Sequence, residues 1–191
     1  MEIALMDHEL TKDELAWTRS VYADFVKIRA SSTGRDPGFH PREALREVLG
    51  RNGYRLEGER DLSGPGPWRL GRNRHGRGIA AVFLHDVELH QHQNSRTDQF
   101  PIYVIGEADG FSLDAKGDPV LTPVTGGDHF HNAPGAPHAF VPRGGTSAPA
   151  NWEIAFLAIT PRNLREDTQA VSHQTRASYK RAVGMEAPHG A

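Results

Sequence analysis

From Tyr54 onward the chain is cut at short intervals by glycine and proline turns. They stand at Gly64-Pro-Gly-Pro67, Asp109-Gly110, Lys116-Gly-Asp-Pro119, Gly126-Gly127, Pro134-Gly135 and Gly144-Gly145. Each pair forces a turn or halts a helix, so no long helix fits between them. What remains are short extended segments: Tyr54–Glu59, Gly78–His92, Phe100–Glu107, Gly110–Asp114, Val120–Val124, Asp128–Asn132, His138–Val141 and Trp152–Thr160. Many short strands with regular turn signals predict an antiparallel sandwich or barrel.

The flanks read differently. Thr11-Lys-Asp-Glu14 has the form of a capping box, and Leu15, Tyr22, Phe25, Val26 and Ile28 follow at helical spacing. Pro41 suits the first position of a second helix that carries Ala44, Leu45, Val48 and Leu49. Asn163 to Val183 reads as a surface helix, with a loose tail after it. The expected organisation is a helical extension over 1–53, a β-barrel over 54–160, and a C-terminal helix and tail over 161–191.

Composition narrows the function. The formal net charge is −2 with both signs interspersed, so no nucleic-acid footprint is present. No apolar run reaches membrane-spanning length and no secretory signal opens the chain, so a cytoplasmic location is expected. There is no cysteine, which rules out disulfides and thiolate chemistry and leaves His, carboxylate or amide groups for any metal. Eleven histidines are many for 191 residues, and most lie between His85 and His138.

Among them, His90-Gln91-His92 sits at the end of a run that reads as a strand. Side chains two apart on a strand share a face, so both imidazoles can reach one ion. Downstream come Gln99-Phe-Pro-Ile-Tyr-Val-Ile-Gly106, then Gly127-Asp128, then Gly135-Ala-Pro-His138. Together these resemble the two motifs of the cupin family: an H-x-H pair followed by a Glu and a Gly seven residues later, and a Gly-Asp run ending in P-x-G-x-x-H. Gln99 stands seven residues before Gly106, in the place of that Glu. Leu84 replaces a family Gly, Ala133 replaces a Pro, and the gap from His92 to Gln99 is longer than usual. The resemblance covers about Gly78 to Thr160. It implies a jelly-roll barrel holding one divalent metal ion on His90, His92 and His138.

With the acidic ligand absent, three completions stand open. Gln99 coordinates through its amide oxygen, Asp98 turns in, or waters complete a three-histidine site. Iron(II) is the leading expectation, with zinc, manganese or nickel as alternatives. Tyr103, by strand parity with Gln99, is expected to face inward, as a hydrogen-bond donor to substrate or as packing. His131, paired with His129, is a candidate general base. Arg96 and Arg143 are candidates for holding a carboxylate or phosphate, Glu153 and Glu88 read as solvated strand residues, and Phe140 reads as packing. The functional expectation is a three-histidine iron(II) dioxygenase or oxidase acting on a small molecule, with O2 as co-substrate. A metal-dependent lyase, isomerase or cyclase is the non-oxidative alternative, and a ligand-binding barrel without turnover is the non-enzymatic one. Dimers follow from the resemblance alone; no nucleic-acid or membrane partner is expected.

Overall fold

A computed structural model describes residues 9–32, 38–54, 68–73, 76–84, 89–143, 152–160 and 167–184. Among them are three helices, α1 (Lys12–Ser31), α2 (Pro41–Arg51) and α3 (His173–Ala182). Ten strands form the rest: β1 (Trp68–Arg72), β2 (Gly78–Leu84), β3 (Gln91–His92), β4 (Thr97–Ile105), β5 (Ala108–Leu113), β6 (Pro119–Val124), β7 (Phe130–Asn132), β8 (Ala139–Pro142), β9 (Glu153–Thr160) and β10 (Thr168–Gln169). The expected strand Tyr54–Glu59, His85, Glu88 and the turns at 64–67 and 144–145 lie largely or wholly outside the described residues.

The chain is mainly β, and its pairings are antiparallel. A five-stranded sheet runs β1-β2-β9-β4-β7, a three-stranded sheet runs β6-β5-β8, and β10 pairs with β3. Among the described residues the two larger sheets form a jelly-roll sandwich rather than one continuous closed ladder. Ile154, Phe156 and Ala158 of β9 pack against Ala108, Val124 and Phe140 of the smaller sheet, forming the interior. The opposite face of the large sheet, with Ile79, Phe83, Ala155, Leu157 and Ile159, lies under Val21, Phe25, Leu45 and Val48 of α1 and α2. Strand β9 is therefore covered on both sides, and its stretch Ile154–Ile159 is apolar without alternation. Helix α3 covers the outside of the small sheet, where Tyr179 meets Phe111 edge-on at 4.9 Å.

The capping box forms as read: Glu14 N–H donates to Thr11 Oγ1 at 3.2 Å, and Thr11 N–H to Glu14 Oε2 at 2.8 Å. Pro41 opens α2.

Two expectations are corrected. The run Gly78–His92 is not one strand: β2 covers Gly78–Leu84, Gln91 and His92 form a separate short strand paired with β10, and His90 stands before it, bridged to His138. The segment 163–183 is not one helix either. Ser172 caps a helix that starts only at His173, accepting from Thr175 N–H at 3.1 Å, and β10 precedes it. Ser172 is the sequence signal for that split.

Candidate metal centre

His90 and His138 exchange backbone hydrogen bonds: His138 N–H donates to the His90 carbonyl at 2.9 Å, and His90 N–H returns at 3.3 Å. This bridge sets two ligand-bearing segments side by side. His92 follows on β3, opposite Thr168. The Gly135 N–H donates to the His92 carbonyl at 2.6 Å, so the turn before His138 is tied to the H-x-H strand. The ring centroids lie 4.5 Å (His90–His138), 5.1 Å (His90–His92) and 5.2 Å (His92–His138) apart. One nitrogen from each of the three rings falls within 4.8 Å of the others.

The electrostatics favour a cation. His92 and His138 are 2% and 3% exposed. Burial, with the neighbouring His90 adding to it, pushes the pKa of His92 down to about 4, against the pull of Asp167. Burial and His90 likewise push His138 down to about 3. Both rings are thus neutral at pH 7 and keep a free lone pair. Nδ1 of His138 donates to the Ala136 carbonyl at 2.9 Å, which fixes the tautomer and leaves Nε2 as the lone-pair nitrogen. That Nε2, and both nitrogens of His92, are buried without a hydrogen-bond partner. Unpartnered buried polar atoms are costly, and a shared ion would engage one lone-pair nitrogen of each ring. On this observation the residues fit a divalent metal.

The remaining candidates fall into two places. Gln99 shares the interior face, opposite Phe130 and Ala158, and its Oε1 accepts from Asn132 Nδ2 at 3.1 Å. Asp98 points the other way. It is fully buried and accepts from His129 Nε2 (2.8 Å) and Arg96 Nε (3.0 Å), with His131 Nδ1 at 3.4 Å. Burial would raise its pKa, but the hydrogen bonds from His129 and Arg96 outweigh that and hold it low. The alternative in which Asp98 turns toward the triad is therefore corrected: its carboxylate is committed to the opposite face. His131 is exposed and sits with Asp98, away from the three clustered histidines.

Tyr103 is also corrected. The β4–β9 register slips between Pro101 and Tyr103, leaving Ile102 as an extra residue. Proline cannot donate to a ladder, and bulges form where it sits. The slip reverses parity, so Tyr103 faces the helices, stacked on Phe25 at 5.4 Å. Its hydroxyl donates to Glu153 Oε1 at 2.6 Å, and burial followed by this bond pushes its pKa up. Glu153, read as solvated, is 6% exposed and also accepts from Arg42 Nε at 3.0 Å. Arg96 and Arg143 are paired with Asp98 and Asp109. Phe140 packs in the interior as read.

Two residues escaped the sequence. Asp167 is 5% exposed and accepts from Asn94 N–H at 3.2 Å and Asn94 Nδ2 at 3.2 Å. It stands just before β10, so the C-terminal segment braces the strand that carries His92. Asn132, the partner of Gln99, is the other.

No family model and no curated protein matches the chain. Among solved structures it is similar to a cupin-like protein from Thermotoga maritima, at 13% identity over 62% of this chain and 84% of that one, TM-score 0.39. An oxalate decarboxylase from Bacillus subtilis matches at 19% identity over 56% of this chain and 29% of that one, TM-score 0.39. Peruvianin-I, a cysteine peptidase from Thevetia peruviana latex, matches at 19% identity over 51% of this chain and 57% of that one, TM-score 0.39. The match thus spans a little over half of the peptidase and less than a third of the decarboxylase. Cupin-like proteins are what the chain is similar to, and its jelly-roll sandwich and histidine cluster stand on the residues described above.

Proposed function

We propose that this protein is a metal-dependent enzyme acting on a small molecule, with one divalent ion, iron(II) first among candidates, held by His90, His92 and His138. The observation that carries the reading is the convergence of three imidazoles, two of them buried and neutral with lone pairs that no protein group uses. When bound, such an ion supplies Lewis acidity and, as iron, a redox couple for reaction with O2.

The chain's own residues do the rest. The Ala136 carbonyl holds His138 in the tautomer that presents Nε2. The turn through Gly135 and the brace from Asp167 fix the strand carrying His92. Ile154, Phe156 and Phe140 supply an apolar wall to the interior. Three neutral ligands leave the ion's charge uncompensated and coordination positions open for substrate and oxygen, which supports oxidative chemistry. Tyr103 and His131 have no part in this reading, because both lie away from the triad.

The test is metal analysis of untagged protein beside His90→Ala, His92→Ala and His138→Ala. Near-stoichiometric metal is expected in the wild type and loss of it in each variant. A wild type that takes up no divalent ion, or variants that retain it, would sink the assignment. Oxygen uptake by the iron(II)-loaded protein with candidate substrates then separates oxidative from Lewis-acid chemistry.

A further inference from the structure

The interior face beside the triad carries polar groups that the metal reading does not use. Thr97 and Gln99 alternate with outward-facing Asp98 on β4, and Thr97 lies directly across from Asn132 on β7. Thr97 is 0% exposed, and its hydroxyl has no hydrogen-bond partner. Gln99 is 5% and Asn132 9% exposed. Because Asn132 Nδ2 donates to Gln99 Oε1, the amide of Gln99 is held in one orientation, its oxygen engaged and its NH2 directed elsewhere. Among the described residues that NH2 donates to no group. Asn132 also opens the turn that ends at His138 and is tied through Gly135 to His92, so this pair adjoins the ligand-bearing segments.

Charge decides what such a lobe recognises. Three imidazole donors bring no negative charge to an ion, and Arg96 and Arg143 are engaged by Asp98 and Asp109. A substrate carboxylate therefore finds its counter-charge in the ion, and the carboxylate oxygen that does not meet the ion finds neutral donors. Bulky interior side chains at Phe140, Phe156 and Trp152 limit its size.

Resting on the metal reading above, we infer that Gln99 is a substrate donor and not a metal ligand. With Thr97 it binds a small chelating acid, a 2-hydroxy or 2-oxo carboxylate, whose two oxygens meet the ion. Asn132 acts through Gln99 and is a positioning residue.

Cobalt(II)-loaded protein titrated with glycolate, and with acetate as the non-chelating control, tests this through the visible cobalt spectrum. A saturable shift is expected with glycolate at concentrations where acetate gives none. Thr97→Val, which keeps shape, and Gln99→Met are each expected to retain full cobalt content and weaken glycolate at least tenfold. Gln99→Glu, nearly isosteric, is expected to hold cobalt and weaken glycolate further by placing a negative charge where a donor stood. Loss of cobalt in Gln99→Met, with Thr97→Val fully loaded, would make Gln99 a ligand and overturn the inference. So would unchanged glycolate affinity in both variants, or equal response to acetate. Failure of the wild type to take up cobalt would sink the metal reading itself, a result distinct from either.

Discussion

His92 and His138 are bases kept neutral by burial, and that has a measurable cost in the metal-free protein. Unfolded, they titrate near 6.5; folded, they titrate near about 4 and about 3. Between those values the unfolded chain binds more protons, so stability is full above about pH 6.5 and falls as pH drops. Each proton taken up on unfolding lowers stability by about 1.4 kcal/mol per pH unit. Denaturation of stripped protein should therefore show stability declining from about pH 6.5 to about 4.5; a flat profile would contradict the burial of these rings. Tyr103 behaves differently. Tyr103→Phe removes a buried hydrogen bond to Glu153 and is expected to lower stability by about 1–2 kcal/mol while leaving metal content unchanged. A loss of metal would return Tyr103 to the site.

At the level of elements, the turns and the bulge explain what the sequence made legible. Capping, the Pro41 start, the run of β9 and the convergence of His90, His92 and His138 were readable because each depends on local chemistry or on motif spacing. The orientation of Tyr103 was not, because one unpaired residue at Ile102 reverses every side chain after it; Pro101 was the warning. Asp98 could not be placed by parity counted from the H-x-H pair, since β3 and β4 are separate strands with a turn between them. Asp167 was hidden because its partner, Asn94, is 73 residues away in sequence. Gly127 illustrates the same level. It has φ +94°, and a Cβ there would stand 2.7 Å from the Tyr22 ring, whereas Gly135, at φ +76°, has open space around it. Gly135→Ala is expected to cost about 1–2 kcal/mol from backbone strain alone, and Gly127→Ala more. Chemical denaturation that reversed this order would contradict the packing of α1 on the 126–127 turn. Asp167→Ala should speed amide exchange at Asn94 and weaken metal binding several-fold, measured against a chelating dye; unchanged exchange would show that the brace is not used.

Across the whole molecule, two apolar layers flank the large sheet, and α3 closes the far side of the small one. Among the described residues no helix is long and apolar enough to cross a membrane. The site lies where the His90–His138 bridge joins the segment leading into the β3–β10 pair to the segment leading into β8 of the three-stranded sheet. Those two residues bound an excursion of the chain that contains all of β4, β5, β6 and β7. An ion shared between them would close a loop of roughly fifty residues, a removable clasp on half of the sandwich. Filling the clasp a hundredfold above its dissociation constant would stabilise the fold by about 2.7 kcal/mol. The β5–β6 hairpin, held within that loop, would then report occupancy through slower hydrogen exchange.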